Sequence, residues 1–295
     1  MKQMTLKQFQ TRFPDDDSCL EHLKVSRFGE RRKCKSCGKD AKYYRVSTRR
    51  CYVCEHCGHQ IYPTAGTPFE NTRTPLTDWF HVMFMFTNSR NGVSAKEVQR
   101  TIGVTYKTAW RMCNLIRQYM GYVDGDDPVG GTRSYSGVVE MDEAFIGGKD
   151  KRGKDDKAVV LGIVERGRDG QDGEIVTRHI QSRAERHIYP EIANYIVQGS
   201  KVATDEALAY RNLEEYGYWH KTVNHSQKEY VRGDVHTNNI EAFWGNVKRS
   251  MRGTYIKVSD KWLQTYLWEF EYRYNYRKRP HLLMELLLQK FPKVA

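Results

Sequence analysis

Two acidic residues end the stretch Ser136-Gly-Val-Val-Glu-Met-Asp142-Glu143, which predicts a β-strand with a carboxylate pair at its end. The same arrangement recurs in Lys201-Val-Ala-Thr-Asp205-Glu206. A helix that carries a third acid is predicted to begin in Asn238-Asn-Ile-Glu241-Ala-Phe-Trp-Gly-Asn-Val-Lys248-Arg249. Two strand-terminal aspartates and one helical glutamate are therefore candidates for a single acidic site.

Strands and helices alternate in the sequence around these acids. Further strands are predicted at Lys157–Glu165 and Gly173–Ile180, and a helix at Ile188–Val197. Such alternation is typical of an α/β domain, in which helices pack on a sheet. We therefore predict an α/β domain over residues 138–295 that ends in basic helices.

The three acids have the donor chemistry of a site for two divalent metal ions. Carboxylate oxygens bind magnesium or manganese, and two ions about 4 Å apart stabilise the attacking and leaving oxygens of an in-line phosphoryl transfer. In this hypothesis Asp142 bridges the ions, Asp205 holds one and Glu241 holds the other. Taken singly, each acid has a plainer interpretation, because aspartates are common in turns and Glu241 could be a surface charge of its helix.

The predicted helix also places a cation on the face that carries Glu241. Lys248 follows seven residues later, about two helical turns, and Arg252 continues this face. A lysine in this position could hold a phosphate beside the metal ions. We therefore count Lys248 and Asn238, near the start of the helix, as candidate catalytic residues, and Arg249 and Arg252 as candidate DNA-binding residues.

The chain is strongly basic, with 48 Lys and Arg against 36 Asp and Glu and a formal net charge of +12. A polyanion is the simplest partner for such a chain. An ordinary solvated helix face is the alternative for any single charge run, and an anionic membrane is the weaker alternative because no basic helix has an obvious lipid-facing side. Near the C-terminus, cations alternate with tyrosines, a pattern that suits phosphates and bases: Tyr272, Arg273, Tyr274, Tyr276, Arg277, Lys278 and Arg279.

No run of about eighteen apolar residues and no segment typical of a signal peptide occurs, so we expect a cytoplasmic protein without a transmembrane helix.

The cysteines indicate metal binding. Five of the seven cysteines lie between residues 34 and 57, a clustering unlike a disulfide framework. Cys34-Lys-Ser-Cys37-Gly and Cys54-Glu-His-Cys57-Gly are two CxxC knuckles, and four thiolates complete a tetrahedral zinc site. We predict a zinc ribbon over residues 31–68.

Cys51-Tyr-Val-Cys54 is also a CxxC, so the second knuckle could be Cys51 with Cys54. We favour Cys54 with Cys57, because a glycine follows that pair as one follows Cys37. The two histidines of this segment could substitute as ligands, whereas a redox role lacks the strand-then-helix context. The module could also meet DNA through its basic residues: Arg31, Arg32, Lys33, Lys42, Arg45, Arg49 and Arg50.

Helices are predicted on both sides of the ribbon. Residues 1–30 form an N-terminal helical segment, residues 69–120 a second helical region, and residues 121–137 a linker rich in Gly and Asp. In the second region Thr74-Pro75 opens a helix, with Thr74 as its N-cap and Pro75 as its first residue.

Two shorter helices follow within residues 69–120. Ser94 and Glu97 form a predicted capping box, Gly103 ends the first helix, and Thr105 can cap the second. This pattern fits a helix-turn-helix, whose second helix would enter a DNA groove. A simple helical hairpin in the core is the alternative. The candidate DNA-binding residues at the start of the second helix are Tyr106, Lys107, Thr108 and Arg111.

Seven motifs along the chain occur in the order found in one known family. They are Cys54-Glu-His-Cys57-Gly-His-Gln-Ile-Tyr-Pro-Thr-Ala-Gly-Thr-Pro-Phe69-Glu, Thr74-Pro-Leu-Thr-Asp-Trp-Phe80, Lys107-Thr-Ala-Trp-Arg-Met112, Glu140-Met-Asp-Glu-Ala-Phe-Ile-Gly-Gly148, Thr204-Asp-Glu-Ala-Leu-Ala-Tyr210, His236-Thr-Asn-Asn-Ile-Glu241 and Phe270-Glu-Tyr-Arg-Tyr-Asn275. The chain resembles the DDE transposases of bacterial insertion sequences, in the zinc-ribbon-bearing ISXO-two-like group.

This resemblance implies a fold: an RNase H-like catalytic domain, with a mixed sheet flanked by helices, preceded by the zinc ribbon and the helix-turn-helix. It implies that Asp142 and Asp205 are the first two catalytic acids, and Glu241, with 35 residues between it and Asp205, is then the third. Some members of the group have an asparagine in the third position, so Asn238 or Asn239 is the alternative. We favour Glu241 because a carboxylate binds a hard cation better than an amide.

The resemblance also implies an activity. Such a protein binds the ends of an insertion sequence and catalyses metal-dependent DNA strand cleavage and strand transfer, as a dimer or higher oligomer on DNA in the bacterial nucleoid. Its cofactors would be two magnesium or manganese ions and one structural zinc, and Lys248 matches a lysine often found seven residues beyond the last acid. The alternatives are an inactive DNA-binding regulator, a metal-dependent nuclease without strand joining, and an RNA-binding zinc-ribbon protein, which leaves the acids without a role.

Overall fold

The computed structural model describes residues 3–131, 138–149, 155–167, 173–223 and 235–291. The chain divides into two compact units. The first comprises Met1–Val123 together with the C-terminal stretch from Arg279, and the second comprises Asp124–Lys278. The second unit therefore differs at both ends from the domain predicted over residues 138–295. It begins at Asp124, inside the predicted linker, and it ends before the last helix, which belongs to the first unit.

The first unit joins an antiparallel ribbon to a group of helices. Its four-stranded sheet has the order β1-β2-β3-β4, and the last helix of the chain packs on the second and third helices. Its elements are α1 (Leu6–Arg12), α2 (Asp16–Phe28), β1 (Arg31–Lys33), β2 (Asp40–Val46), β3 (Cys51–Cys54), β4 (Gln60–Ile61), α3 (Leu76–Asn88), α4 (Ala95–Ile102), α5 (Tyr106–Asp124) and α9 (Pro280–Gln289).

The start of α3 corrects the predicted helix cap. Pro75, not Thr74, is the N-cap residue, and it has no side-chain cap hydrogen bond. Instead Asp16 of α2 accepts hydrogen bonds from the Thr77 backbone N–H at 3.0 Å and from the Thr77 hydroxyl at 3.2 Å. Its other oxygen accepts from Arg50 of the ribbon at 2.9 Å. Asp16, 61 positions earlier in the chain, thus supplies the side-chain acceptor for the first turn of α3 that its N-cap residue does not provide.

The helices α4 and α5 begin at the predicted caps, with the Ser94 bond of the predicted capping box formed, but α5 has 19 residues and is longer than predicted. Ser94 accepts from the Glu97 N–H at 3.1 Å, Gly103 ends α4 with φ 71°, and Thr105 accepts from the Thr108 N–H at 3.2 Å. The helix α5 continues through Asp124, so the predicted linker begins later than Gly121; its residues 132–137 lie outside the described part of the chain. No helix among the described residues is long and apolar enough to span a bilayer.

The second unit is a mixed sheet covered by helices, as predicted. The strand order is β7-β6-β5-β8-β9, with β5, β6 and β7 antiparallel and β8 and β9 parallel to β5. Its elements are β5 (Val139–Lys149), β6 (Asp155–Glu165), β7 (Ile175–Ile180), α6 (Glu185–Tyr195), β8 (Lys201–Thr204), β9 (Trp219–Thr222), α7 (Asn238–Ser250), a π-helical turn (Met251–Tyr255) and α8 (Asp260–Asn275).

Alternating side chains of the central strands build two cores on the two faces of this sheet. Val139 and Met141 of β5 pack with Ile188 and Ile192 of α6. On the other face Ala144 of the same strand packs in the cluster that contains buried residues of α7 and α8: Ile240, Phe243, Trp244, Val247, Leu263, Leu267 and Phe270. The period of two along β5 therefore decides which of its acids faces α7.

Candidate active site and metal centre

Parallel pairing brings Asp142 and Asp205 to one level of the sheet. In β5 and β8, Val139 pairs with Val202 and Glu140 with Ala203. Each aspartate lies two residues beyond the second pair, so the register places the two side by side where the short strand β8 ends. The acid pairs at the predicted strand ends thus meet, although β5 itself continues to Lys149.

A glycine in the neighbouring strand lets α7 approach the same point. Gly162 of β6 pairs directly with Asp142, and a Cβ atom built on it would lie 2.5 Å from Ile240 Cδ1 and 2.5 Å from Trp244 Cζ2. Only a residue without a side chain fits beneath the helix there. The residue that follows Ile240 is Glu241, which therefore stands at the edge of the contact between α7 and the sheet.

The carboxylates of Asp205, Glu143 and Glu241 act electrostatically on Asp142. Burial, followed by the negative charges of Asp205, Glu143 and Glu241, raises the pKa of Asp142 to about 7. Asp142 and Asp205 are half-buried and Glu241 is exposed, and the Thr237 hydroxyl donates to Glu241 Oε1 at 2.7 Å. Mutually repelling carboxylates that open to solvent have the chemistry of a divalent-cation site.

The second acid of the predicted pair has a structural role. Glu143 is buried, accepts a hydrogen bond from the Tyr210 hydroxyl at 2.8 Å, and lies 3.2 Å from Arg183 Nη2. Burial raises the pKa of Glu143, while Tyr210 and Arg183 oppose that rise. Because neighbouring strand residues point to opposite faces, Asp142 faces α7 and Glu143 faces away from it.

Glu140 is a residue of the site that the sequence analysis missed. It is completely buried, and its carboxylate accepts from the backbone N–H groups of Asn239 at 2.9 Å and Ile240 at 3.1 Å. The side-chain amide of Asn239 donates to it at 2.7 Å and Arg166 Nε at 2.6 Å. A carboxylate is favoured at a helix N-terminus, where free N–H groups point outward. Glu140 therefore fastens the start of α7 to β5, two residues before Asp142.

Arg166 and His236 complete this attachment. Arg166 donates to the backbone oxygen of His236 at 2.7 Å, and His236 Nδ1 lies 3.2 Å from Glu140 Oε1. An acid in the middle of an apolar strand was the one sequence signal for this network. The network also distinguishes the two asparagines that are alternatives to Glu241. The side-chain amide of Asn239 donates to Glu140, whereas the side chain of Asn238 is exposed.

The predicted cations of α7 are on the surface. Lys248 and Arg249 lie in the last turn of the helix, and Arg252 lies in the π-helical turn that follows; all three are exposed. Gly245 has a Cβ position 3.3 Å from Arg249 Nη1, so the arginine side chain folds back over the helix. Lys248 stands two turns from Glu241 and is available to an anionic ligand.

The predicted DNA-binding residues of α5 also point outward. Tyr106, Lys107 and Arg111 are exposed, and Thr108 is half-buried with its hydroxyl 3.0 Å from that of Thr105. The opposite face of the helix is buried through Ala109, Met112, Cys113 and Ile116. The exposed start of α5 therefore offers an aromatic ring and two cations next to the turn at Gly103.

The four predicted zinc ligands lie together in the ribbon. The sulfur atoms of Cys34, Cys37, Cys54 and Cys57 are within 4.8 Å of one another, with 3.7 Å between Cys34 and Cys57 and 4.0 Å between Cys37 and Cys54. Tetrahedral zinc with ligands at about 2.3 Å requires sulfur atoms about 3.8 Å apart. The cluster therefore fits one structural zinc ion.

The two knuckles have the same backbone hydrogen bonds. Gly38 N–H donates to the Cys34 oxygen at 2.9 Å, and Gly58 N–H donates to the Cys54 oxygen at 3.1 Å. The two glycines have φ of 71° and 72°, in the left-handed region that glycine adopts without strain. Cys51 is buried outside this cluster, with its sulfur 3.9 Å from Gln60 Oε1.

Some of the ribbon's basic residues hold the first unit together. Arg45 pairs with Asp17 and Arg50 with Asp16 of α2, each at 2.9 Å, and Arg31 pairs with Asp40 at 2.8 Å. These cations are already neutralised within the chain. Exposed cations of the ribbon outside these three pairs include Lys33, Lys39, Lys42 and Arg49.

Comparisons with known proteins agree with both parts of this architecture. Residues 134–275 match the family described as ISXO2-like transposase domain, and residues 14–60 match the family described as transposase zinc-ribbon domain. A protein of Halobacterium salinarum described as an uncharacterized protein in transposable element ISH50 is 27% identical over 267 residues, which cover 84% of this chain and 86% of the relative.

Proposed function

Because the chain belongs to the ISXO2-like transposases of insertion sequences that carry a zinc ribbon, we propose that it cuts and joins DNA strands at Asp142, Asp205 and Glu241. One observation supports this proposal: the register of β5 and β8 puts Asp142 and Asp205 at one level of the sheet, where the charges of Asp205 and Glu241 raise the pKa of Asp142. Clustered carboxylates of this kind are a candidate centre for phosphoryl transfer on DNA.

The donor chemistry of Asp142, Asp205 and Glu241 suits divalent ions, since all three are carboxylates and cations would relieve the repulsion that raises the pKa of Asp142. Magnesium or manganese bound by Asp142, Asp205 and Glu241 would supply Lewis-acid stabilisation of the attacking and leaving oxygens. The chain's own residues position these groups. Glu140 sets the start of α7, and Gly162 sets its distance from β5.

Lys248 holds the phosphate that is being transferred. It is exposed on the same helix two turns beyond Glu241, so its ammonium group can pair with a phosphate oxygen next to the acids. The same centre serves two reactions in turn. In the first a water oxygen displaces the 3′ oxygen at the element end, and in the second that 3′ hydroxyl displaces a 3′ oxygen in the target strand.

The first unit supplies recognition of DNA. The start of α5 contributes Tyr106, Lys107, Thr108 and Arg111, and the zinc ribbon contributes exposed cations such as Lys33, Lys42 and Arg49. Because transposition pairs the two ends of an element, the active form is a dimer or higher oligomer on DNA. Since the proposed substrate is DNA of the nucleoid, the proposed compartment of the protein is the cytoplasm.

A strand-transfer assay tests the proposal. The purified protein is incubated with magnesium, a labelled duplex from the DNA that flanks its coding region, and a plasmid target. We expect joined products from the parent protein and none from Asp142→Ala or Asp205→Ala. Asp126→Ala removes another acid of the second unit and is the control. Joined products from both aspartate variants at the parent's rate refute the mechanism, and cut ends without joining indicate a nuclease.

A further inference from the structure

The turn after α7 holds an isoleucine in a strained backbone conformation. Ile256 has φ 63° and ψ −57°, and the Lys257 N–H donates to the Tyr255 carbonyl oxygen at 2.7 Å. These values define a γ-turn of the rare positive-φ kind. Among the described residues, Asn71 is the one other non-glycine with positive φ, and asparagine tolerates this region whereas a β-branched residue does not.

The surrounding structure holds this turn in place. On one side the Tyr255 hydroxyl donates to the buried Glu269 at 2.7 Å, and the Tyr255 ring packs edge-on against Tyr266 at 4.8 Å. On the other side Val258 packs against the core of the second unit before α8 begins. Backbone strain that is fixed from both sides is typical of functional positions.

The side chain of Ile256 has no role in the fold. It is 83% exposed, the largest exposed fraction among the large apolar side chains of the described residues. A glycine would fill this position without strain, and a polar residue would suit its exposure. Neither packing nor backbone geometry therefore explains an isoleucine here.

The surroundings of Ile256 indicate the ligand. It lines a cavity of about 240 Å³ together with Arg252, Lys257 and the bare backbone of Gly147 and Gly148, and no acidic side chain is among the described lining residues. Two cations beside an apolar tip suit a ligand with phosphates outside and apolar surfaces inside. Duplex DNA has this chemistry, and apolar side chains such as isoleucine are known to enter its minor groove and separate base pairs.

We propose that Ile256 is a wedge that inserts into the minor groove of bound DNA and unstacks one base step, while Arg252 and Lys257 hold the adjoining phosphates. The wedge rests on the proposed function, because its turn follows the helix that carries Glu241. At 1.5 Å per residue the turn lies about 20 Å from Glu241 along α7, or about six base pairs. Unstacking there kinks the duplex beside the acidic site.

A base-stacking probe tests the wedge. Duplexes from the DNA that flanks the coding region carry 2-aminopurine at one position each, and its fluorescence rises when the base unstacks. We expect the parent protein to raise the signal at one step, and Ile256→Gly and Ile256→Asn to abolish that rise. Both variants should lose about tenfold in affinity, the size of one base-pair contact. Leu208→Ala, which truncates a 66% exposed leucine, is the control and should keep the signal.

Thermal unfolding separates a wedge from a structural role. Both substitutions relieve the positive φ, so we expect a melting temperature equal to or above that of the parent. A lower melting temperature for both, or an unchanged 2-aminopurine signal in Ile256→Gly, refutes the wedge. Failure of the proposed function looks different: the parent protein itself then yields neither cut nor joined strands.

Discussion

The carboxylate of Glu140 accepts a hydrogen bond from the backbone N–H of Ile240 at 3.1 Å, across 100 positions of sequence. Glu140 lies two residues before Asp142, and Ile240 lies one residue before Glu241. A single buried side chain therefore links the strand that carries one candidate catalytic acid to the helix that carries another. The relationship makes Glu140 a positioning residue, which acts through α7 and contacts no reacting atom.

Replacing Glu140 should loosen the start of α7. Glu140→Ala leaves Arg166 and two backbone N–H groups without their buried acceptor, so we expect a loss of about 3 kcal/mol in the free energy of unfolding. Glu140→Gln keeps one carbonyl acceptor and should recover part of the loss. Strand cleavage measured against magnesium concentration provides the second readout.

For both Glu140 variants we expect cleavage to need more magnesium than the parent, with the glutamine variant closer to the parent. Asp17→Ala, which removes an exposed ion pair with Arg45, is the control and should cost no more than about 1 kcal/mol. An unchanged magnesium requirement in Glu140→Ala contradicts the positioning role even if stability falls.

Adding one methyl group at Gly162 should displace α7. The Cβ of Gly162→Ala meets Ile240 and Trp244 at 2.5 Å, so overpacking should cost about 1–3 kcal/mol in stability and move Glu241 away from Asp142. Strand cleavage and thermal unfolding check this expectation. Gly253→Ala is the control, since nothing lies within 4 Å of its Cβ position. Equal activity of the two variants would show that the approach of α7 is unimportant.

Metal analysis should separate the cysteines of the ribbon. We expect the parent and Cys51→Ser to contain about one zinc ion per chain, and Cys57→Ser to contain less, because that variant leaves three thiolates. Removal of zinc with a chelator should lower the melting temperature of the parent and of Cys51→Ser alike. Loss of zinc from Cys51→Ser, with zinc kept in Cys57→Ser, would assign the second knuckle to Cys51 and Cys54.

Stability of the second unit should fall as the pH rises, because of Asp124. Burial, followed by the charge of Glu271, raises the pKa of Asp124 to about 8, from 3.8 in the unfolded chain. Between about pH 4 and 8, the folded state therefore holds a proton that the unfolded state has already released. The free energy of unfolding falls as the pH rises through this window. Asn275 Nδ2 lies 2.9 Å from Asp124 Oδ2.

Asp124→Asn has no charge to bury, so we expect its stability relative to the parent to be higher at pH 9 than at pH 5 by at least about 1 kcal/mol. Denaturant unfolding at the two pH values measures the difference. A variant that loses the same stability at both values would show that Asp124 is ionised in the folded protein.

Features that depend on neighbours in sequence were predictable. The knuckles at Cys34 and Cys54 repeat the same turn, and Ser94 and Gly103 bound α4 as their residue types indicate. The strands that lead to Asp142 and Asp205 followed from short apolar runs. The C-terminal helix α9 was assigned to the wrong unit, because an apolar stripe predicts that a helix is buried but not what buries it.

By itself, the sequence determined the thiolate set of the ribbon and the three acids of the candidate site, because turns, caps and strand ends are decided within a few residues. Tertiary structure alone decided that Asp16 caps α3 in place of Thr74, that Gly162 admits α7 and that Glu140 holds its first turn. These contacts join residues 61 to 100 positions apart. Their free energy comes from burying polar groups that must find partners, and the partner depends on which elements the fold brings together.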